Sequence, residues 1–148
     1  MNSEFQRCID NRKLVSFKTT PDMIKKELNI AAYDLKRAKD SLRDDDAKWA
    51  TVQGYYAMFH TARALIFKQG YREKSHRCLL VAIQELYVAK GKLPIEYVDS
   101  FREAMDLRED ADYGFIYSKQ SAHNIIKAAS KFFEYANTIL RSSNGTRC

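Results

Sequence analysis

Arg108 and Asp112 stand one helical turn apart, with Tyr113 next in the chain. They continue the seam Val98, Phe101, Met105, so a stripe that starts apolar ends charged. A second arginine, Arg63, falls where leucine would be expected, within a row formed by Trp49, Val52, Tyr56, Phe59 and Ile66. His60 lies three residues before it, and His76 follows in the next segment. A guanidinium on a core face needs a partner, because burying an unpaired charge is very costly. Two chemistries satisfy this. One is an internal salt bridge, Arg63 or Arg108 with Asp112, that fixes how two helices pack. The other is a polar cleft in which an arginine binds a phosphate, lined by Arg108, Asp112, Tyr113, Arg63, His60 and His76. Structural ion pairs are common, so the residues taken alone favour the first.

Other familiar chemistries are missing. There is no phosphate-cradling glycine loop, GxSxG elbow, paired CxxC or HExxH. His60, His76 and His123 fall on three different segments, none with metal-ligand spacing, so neither metal nor cofactor is expected. Cys8, Cys78 and Cys148 make an odd count with two near the chain ends, which implies no disulfide framework. Cys78 reads as a small core residue, and a reducing cytoplasm fits this usage best. No apolar run approaches the roughly 18 residues of a membrane span, and no signal-peptide pattern opens the chain.

Helices must position these residues. The stretch 46–70 is apolar on two adjoining rows, the second being Tyr55, Met58, Ala62 and Leu65, so it belongs among other helices. That is more apolar surface than one neighbour covers. A twofold contact with a second copy would bury the excess, as would the other helices of the same chain. Thr20-Pro21 opens a helix over 20–44 with the seam Ile24, Leu28, Ala31, Leu35, Ala38, Leu42. Gly70 closes the central helix, and a polar loop, Tyr71 to Lys74, leads to Ser75 as the cap of a helix over 75–90. Pro94 opens a helix over 94–113, and a last one runs over 118–142. Residues 1–19 form a weakly patterned extension in which Ile9, Leu14, Val15 and Phe17 suit a short docking segment; 143–148 read as a disordered tail. The fold class is all-α: an antiparallel up-and-down bundle of about five helices, without sheet.

At 148 residues, with 45% hydrophobic and 30% charged residues, the chain has the balance of one globular domain. Its net charge of +6 is uneven. Residues 94–117 hold seven carboxylates against two arginines, while the flanking segments are basic. A basic surface attracts nucleic acid, although a solvated surface is the simpler reading of charge alone.

Several pieces together resemble HEPN-domain proteins (higher eukaryotes and prokaryotes nucleotide-binding), in particular the small stand-alone prokaryotic branch. They are Tyr55-Tyr56-Ala57-Met58-Phe59-His60-Thr61-Ala62-Arg63, Ser75-His76, Gly91-Lys92-Leu93, and Leu107-Arg108 with Ala111-Asp112-Tyr113. The order holds over about residues 20–140. The resemblance implies a helical bundle over 20–142, often a homodimer, and pairing with a small nucleotidyltransferase in a toxin–antitoxin-like module. Catalytic members are metal-independent ribonucleases with an Arg-x4–6-His motif. Arg108 matches that arginine, but Tyr113, Gly114 and Phe115 occupy the positions where the histidine belongs. Tyr, with a reference pKa of about 10, is a poor base at neutral pH. The expectation is therefore an RNA- or nucleotide-binding module. Its alternative is a ribonuclease toxin with an altered site, in which Tyr113, His60 or His76 replaces the missing imidazole.

Overall fold

The central helix of the computed structural model, α3 (Ala47–Lys68), is buried on nearly every side. The structure describes residues 3–145, with side chains through Arg141. In chain order come α1 (Ser3–Asp10), β1 (Leu14–Ser16), α2 (Pro21–Arg43), α3, β2 (Tyr71–Glu73), α4 (His76–Ile83), α5 (Ile95–Tyr113) and α6 (Lys119–Gly145). A π-helical turn, Gln84–Val88, prolongs α4. The protein is an all-α bundle, as its periodicity requires.

The helix starts follow the capping chemistry in the sequence. The Thr20 hydroxyl accepts from the Met23 amide with Pro21 in the first turn, and the Ser75 hydroxyl accepts from the Cys78 amide. Gly70 ends α3 at φ +81°, a conformation open to glycine at no steric cost. α3 packs most extensively on α2, then on α6 and α5. Tyr55, Met58, Ala62 and Leu65 are all fully buried within the one chain. The surplus apolar surface of α3 is thus covered by its own neighbours, and this argument for a twofold dimer falls away.

α3 and α6 approach closely at Gly54. A Cβ on Gly54 would lie 2.7 Å from the Ile125 Cγ2 methyl. Gly54→Ala is expected to cost about 1–3 kcal/mol by overpacking. That exceeds the roughly 0.5–1 kcal/mol alanine gains over glycine inside a helix. Urea unfolding of the two proteins checks it, and an unchanged or raised midpoint would contradict this packing.

Four expectations are corrected. The segment after Gly70 is not a loop: β1 and β2 pair antiparallel, with Leu14 opposite Glu73 and Ser16 opposite Tyr71, so a small sheet exists. Such short strands lack the alternation that would reveal them, and only pairing creates them. Trp49 is not in the core but about half exposed, because it sits in the first turn of α3, where its amide is bound by Asp46. Cys78 is buried as foreseen, yet it is bonded to Cys8 in a disulfide that staples α1 to α4. An odd cysteine count hid that pair, and the cysteine argument for a reducing cytoplasm no longer holds. The last helix continues to Gly145, and residues 146–148 of the expected tail lie outside the described residues. Of Ile9, Leu14, Val15 and Phe17 in the N-terminal extension only Leu14 is buried, and the other residues buried there are Phe5 and Cys8 of α1.

Candidate ligand-binding site

One face of α3 presents Tyr55, Tyr56, Phe59, His60 and Arg63, the three-and-four spacing of a single stripe. α5 lays Arg108 across Tyr55 and Tyr56 of this stripe. The Arg108 guanidinium carbon lies 5.2 Å from the Tyr55 ring centroid and 5.9 Å from that of Tyr56. A guanidinium on an aromatic face is attracted by the ring's negative surface. Asp112, one turn along α5, approaches Arg108 Nη1 to 3.5 Å. The Arg108 side chain is 12% exposed, and its Nε is buried without a hydrogen-bond partner among the described residues. This arginine is held in place with a donor unused.

His76 reaches the same rings from another helix. It occupies the first position of α4, where Ser75 caps the helix, and its Nδ1 lies 2.6 Å from the Tyr55 hydroxyl. Its ring stacks on Tyr55 at 5.8 Å and lies 4.6 Å from Phe59. Burial lowers the His76 pKa, and the Arg108 charge lowers it further. Burial pushes the Tyr55 phenol well above its ordinary value, so it remains a donor at neutral pH. Tyr55, expected only to fill the core, thus links Arg108 to His76.

The sign of this shift yields a prediction. A histidine whose folded pKa lies below its unfolded one binds fewer protons when folded, so its contribution costs stability as pH falls below about 6.5. His76 should titrate by NMR below the ordinary histidine range. Its midpoint should rise when Arg108 becomes alanine, because a nearby positive charge is then gone. An unmoved midpoint would separate the two residues.

Arg63 belongs to a second, adjoining cluster. Its Nε donates to Glu73 Oε1 at 3.1 Å, and Nη1 lies 3.5 Å from Glu27 Oε1. His60 Nδ1 is 2.8 Å from that same Glu27 oxygen, and His60 Nε2 is 3.9 Å from Asp34. The guanidinium also lies over the rings of Phe59 and Phe67 at 5.6 and 5.2 Å. Glu27 and Glu73 are both buried, and burial raises the Glu73 pKa while the Arg63 charge opposes the rise.

The pairing of Arg63 with Asp112 is therefore not formed; of the two arginines, only Arg108 meets that carboxylate. His60 and Arg63 lie with Glu27 and Glu73, while Arg108, Asp112 and His76 gather on Tyr55. Tyr113 stands apart, 79% exposed, and among the described residues it has no hydrogen bond or ring contact to either cluster. His123 is exposed on α6. Two members escaped sequence reasoning. Glu27 left a signal, since it sits three residues after Ile24 and four before Ala31, inside the apolar seam. Glu73 left none, because only strand pairing carries it under Arg63.

Comparison with known proteins adds an independent line. The model of the HEPN domain matches residues 24–139, from the first turn of α2 to near the end of α6. A UPF0332 protein of Archaeoglobus fulgidus is 37% identical over 92 residues, 60% of this chain and 72% of that protein. A UPF0332 protein of Gloeobacter violaceus is 33% identical over 91 residues, again 60% and 72%. A Methanocaldococcus jannaschii protein, named as a candidate toxin, is 26% identical over 115 residues, 77% of this chain and 86% of its own length.

Proposed function

Because the chain belongs to the HEPN family, we propose that it is an RNA- or nucleotide-binding module whose phosphate contact is Arg108. One observation carries this reading: a permanently charged guanidinium is fixed on two tyrosine rings, still 12% exposed, with only a 3.5 Å approach to Asp112 as its ion pair among the described residues. A phosphate oxygen is the partner that the exposed part of such a guanidinium fits best, since charge-assisted bonds to guanidinium are strong and directional. The module acts beside a nucleotidyltransferase partner in a toxin–antitoxin-like pair, in keeping with the family resemblance and with relatives named as candidate toxins. A homodimer belongs to the same reading and now rests on that resemblance alone. Sedimentation equilibrium at micromolar concentration tests it, and a 17.2 kDa species throughout would refute it. Among the described residues, no helix is long and apolar enough to cross a membrane.

A second reading, metal-independent ribonuclease, is favoured by His76. The imidazole that the Arg-x4–6-His spacing lacks comes from another helix, in contact with the tyrosine beneath Arg108. With Nδ1–H donating to the Tyr55 oxygen, Nε2 is free to accept a proton from a ribose 2′-hydroxyl while Arg108 holds the phosphate. The proton taken up at Nε2 leaves an imidazolium, which can give it to the leaving 5′-oxygen as an acid. Gel shifts and cleavage assays on mixed RNA, with parent and His76→Gln proteins, separate the readings. Binding without cleavage supports the module. Cleavage that disappears in His76→Gln supports the ribonuclease. RNA that neither binds nor is cut overturns both.

A further inference from the structure

The α5–α6 connection is built in a way that the phosphate reading does not use. Five of the eight large apolar side chains exposed among the described residues gather here: Trp49, Tyr113, Phe115, Ile116 and Tyr117, between 48% and 79% exposed. The grouping is spatial as well as sequential. Lys48 Nζ lies 5.0 Å from the Phe115 ring and 5.7 Å from the Trp49 ring, and Lys119 pairs with Asp45 at 2.6 Å. Those contacts bring the start of α3 against the connection. Exposed apolar side chains gathered in this way mark an interaction site.

The backbone gives a second, independent indication. Phe115 adopts φ +55° at the C-terminal turn of α5, and the Ile116 amide turns back onto the Asp110 carbonyl at 3.0 Å. Helices commonly end on a left-handed residue, but that residue is usually glycine. A bulky aromatic there is strained. Here the glycine, Gly114, stands one position early with negative φ, and the ring that follows it is 73% exposed. The fold thus accepts strain to hold an aromatic ring in water.

Charge selects the occupant. The exposed carboxylates Asp44, Asp45, Asp46 and Asp110 stand on these two segments against Lys48, Lys119 and Arg43, of which Lys119 is paired with Asp45 and Arg43 with Asp40. These carboxylates repel the phosphates of RNA. In a twofold contact they would also face their own copies, which like-charge repulsion disfavours. We propose that this patch docks a different protein through a basic segment carrying apolar anchors, with Phe115 and Trp49 at its centre. The proposal is independent of the phosphate contact. Tyr113 directly follows Asp112, so the docked segment lies beside the Arg108 cleft.

Trp49 is the only tryptophan in the chain and therefore reports on its own patch. The probes are a helical Leu/Lys peptide, a Leu/Glu peptide of equal length and a single-stranded RNA of mixed sequence. The Leu/Lys peptide should shift Trp49 emission to the blue, saturably and less at high salt, while the Leu/Glu peptide should leave it unmoved. Phe115→Gly should melt at or above the parent temperature, since glycine suits that backbone, yet bind the Leu/Lys peptide at least about tenfold more weakly. Equal response to both peptides, affinity unchanged in Phe115→Gly, or no response to the Leu/Lys peptide overturns the proposal. A saturable Trp49 response to RNA alone would make the patch a nucleic-acid surface and overturn it as well.

Discussion

Replacing Arg63 with methionine is expected to lower the free energy of unfolding by about 3–5 kcal/mol, the usual cost of removing one partner from a buried ion pair. The variant would leave Glu73 buried without its cation and would take a contact from Glu27. Methionine keeps much of the volume between Phe59 and Phe67, so the loss reports charge rather than a cavity. The sign with pH follows. Burial already raises the Glu73 pKa, and removing Arg63 takes away the charge that opposes the rise. The folded variant then binds a proton more readily than its unfolded chain, so its deficit should shrink as pH falls from 7 towards 5. Urea unfolding at both values measures this. A deficit below about 1 kcal/mol at pH 7 would mean that the cluster is as weakly coupled as a surface pair.

Arg108→Ala should weaken RNA or nucleotide binding by about 10- to 100-fold, the worth of roughly 1.5–3 kcal/mol in charge-assisted hydrogen bonds. The effect should diminish as salt is raised. A simple open-cleft arginine would cost almost no stability. Arg108 is only 12% exposed and lies on two rings, so a loss of about 1–2 kcal/mol in folding is expected besides. Arg108→Lys separates the two contributions: it keeps the charge but loses the flat guanidinium that stacks and forks, so it should fall between parent and alanine in affinity. Affinity measured well below the melting temperature decides. A destabilised Arg108→Ala protein with parental affinity would return the arginine to a purely structural role.

Much of the fold was written locally. Thr20-Pro21, Ser75 and Gly70 mark helix ends because the caps and the glycine act within a turn of themselves. The doubled apolar rows of α3 stated that it would be surrounded, since each side chain's face follows from the helical repeat. They did not state by what. The choice between a second copy and the chain's own helices was open until packing filled it from within.

The site divides along the same line. That Arg63 and Arg108 stand on inward faces follows from periodicity, and so does the need of each for a partner. Which partner each finds is a long-range matter. Arg63 meets Glu73 because β1 pairs with β2 and turns that carboxylate inward, while the three-residue strands carry no pattern of their own. His76 meets Tyr55 because α4 packs on α3, twenty-one residues away in the chain. The Cys8–Cys78 bond, closing a separation of 70 residues, is of the same kind. Helical register is a property of neighbours along the chain and can be read from residue types. The partner of a buried charge depends on which helices approach, and that was decided only when the burial of many apolar side chains chose one packing among those the sequence allowed.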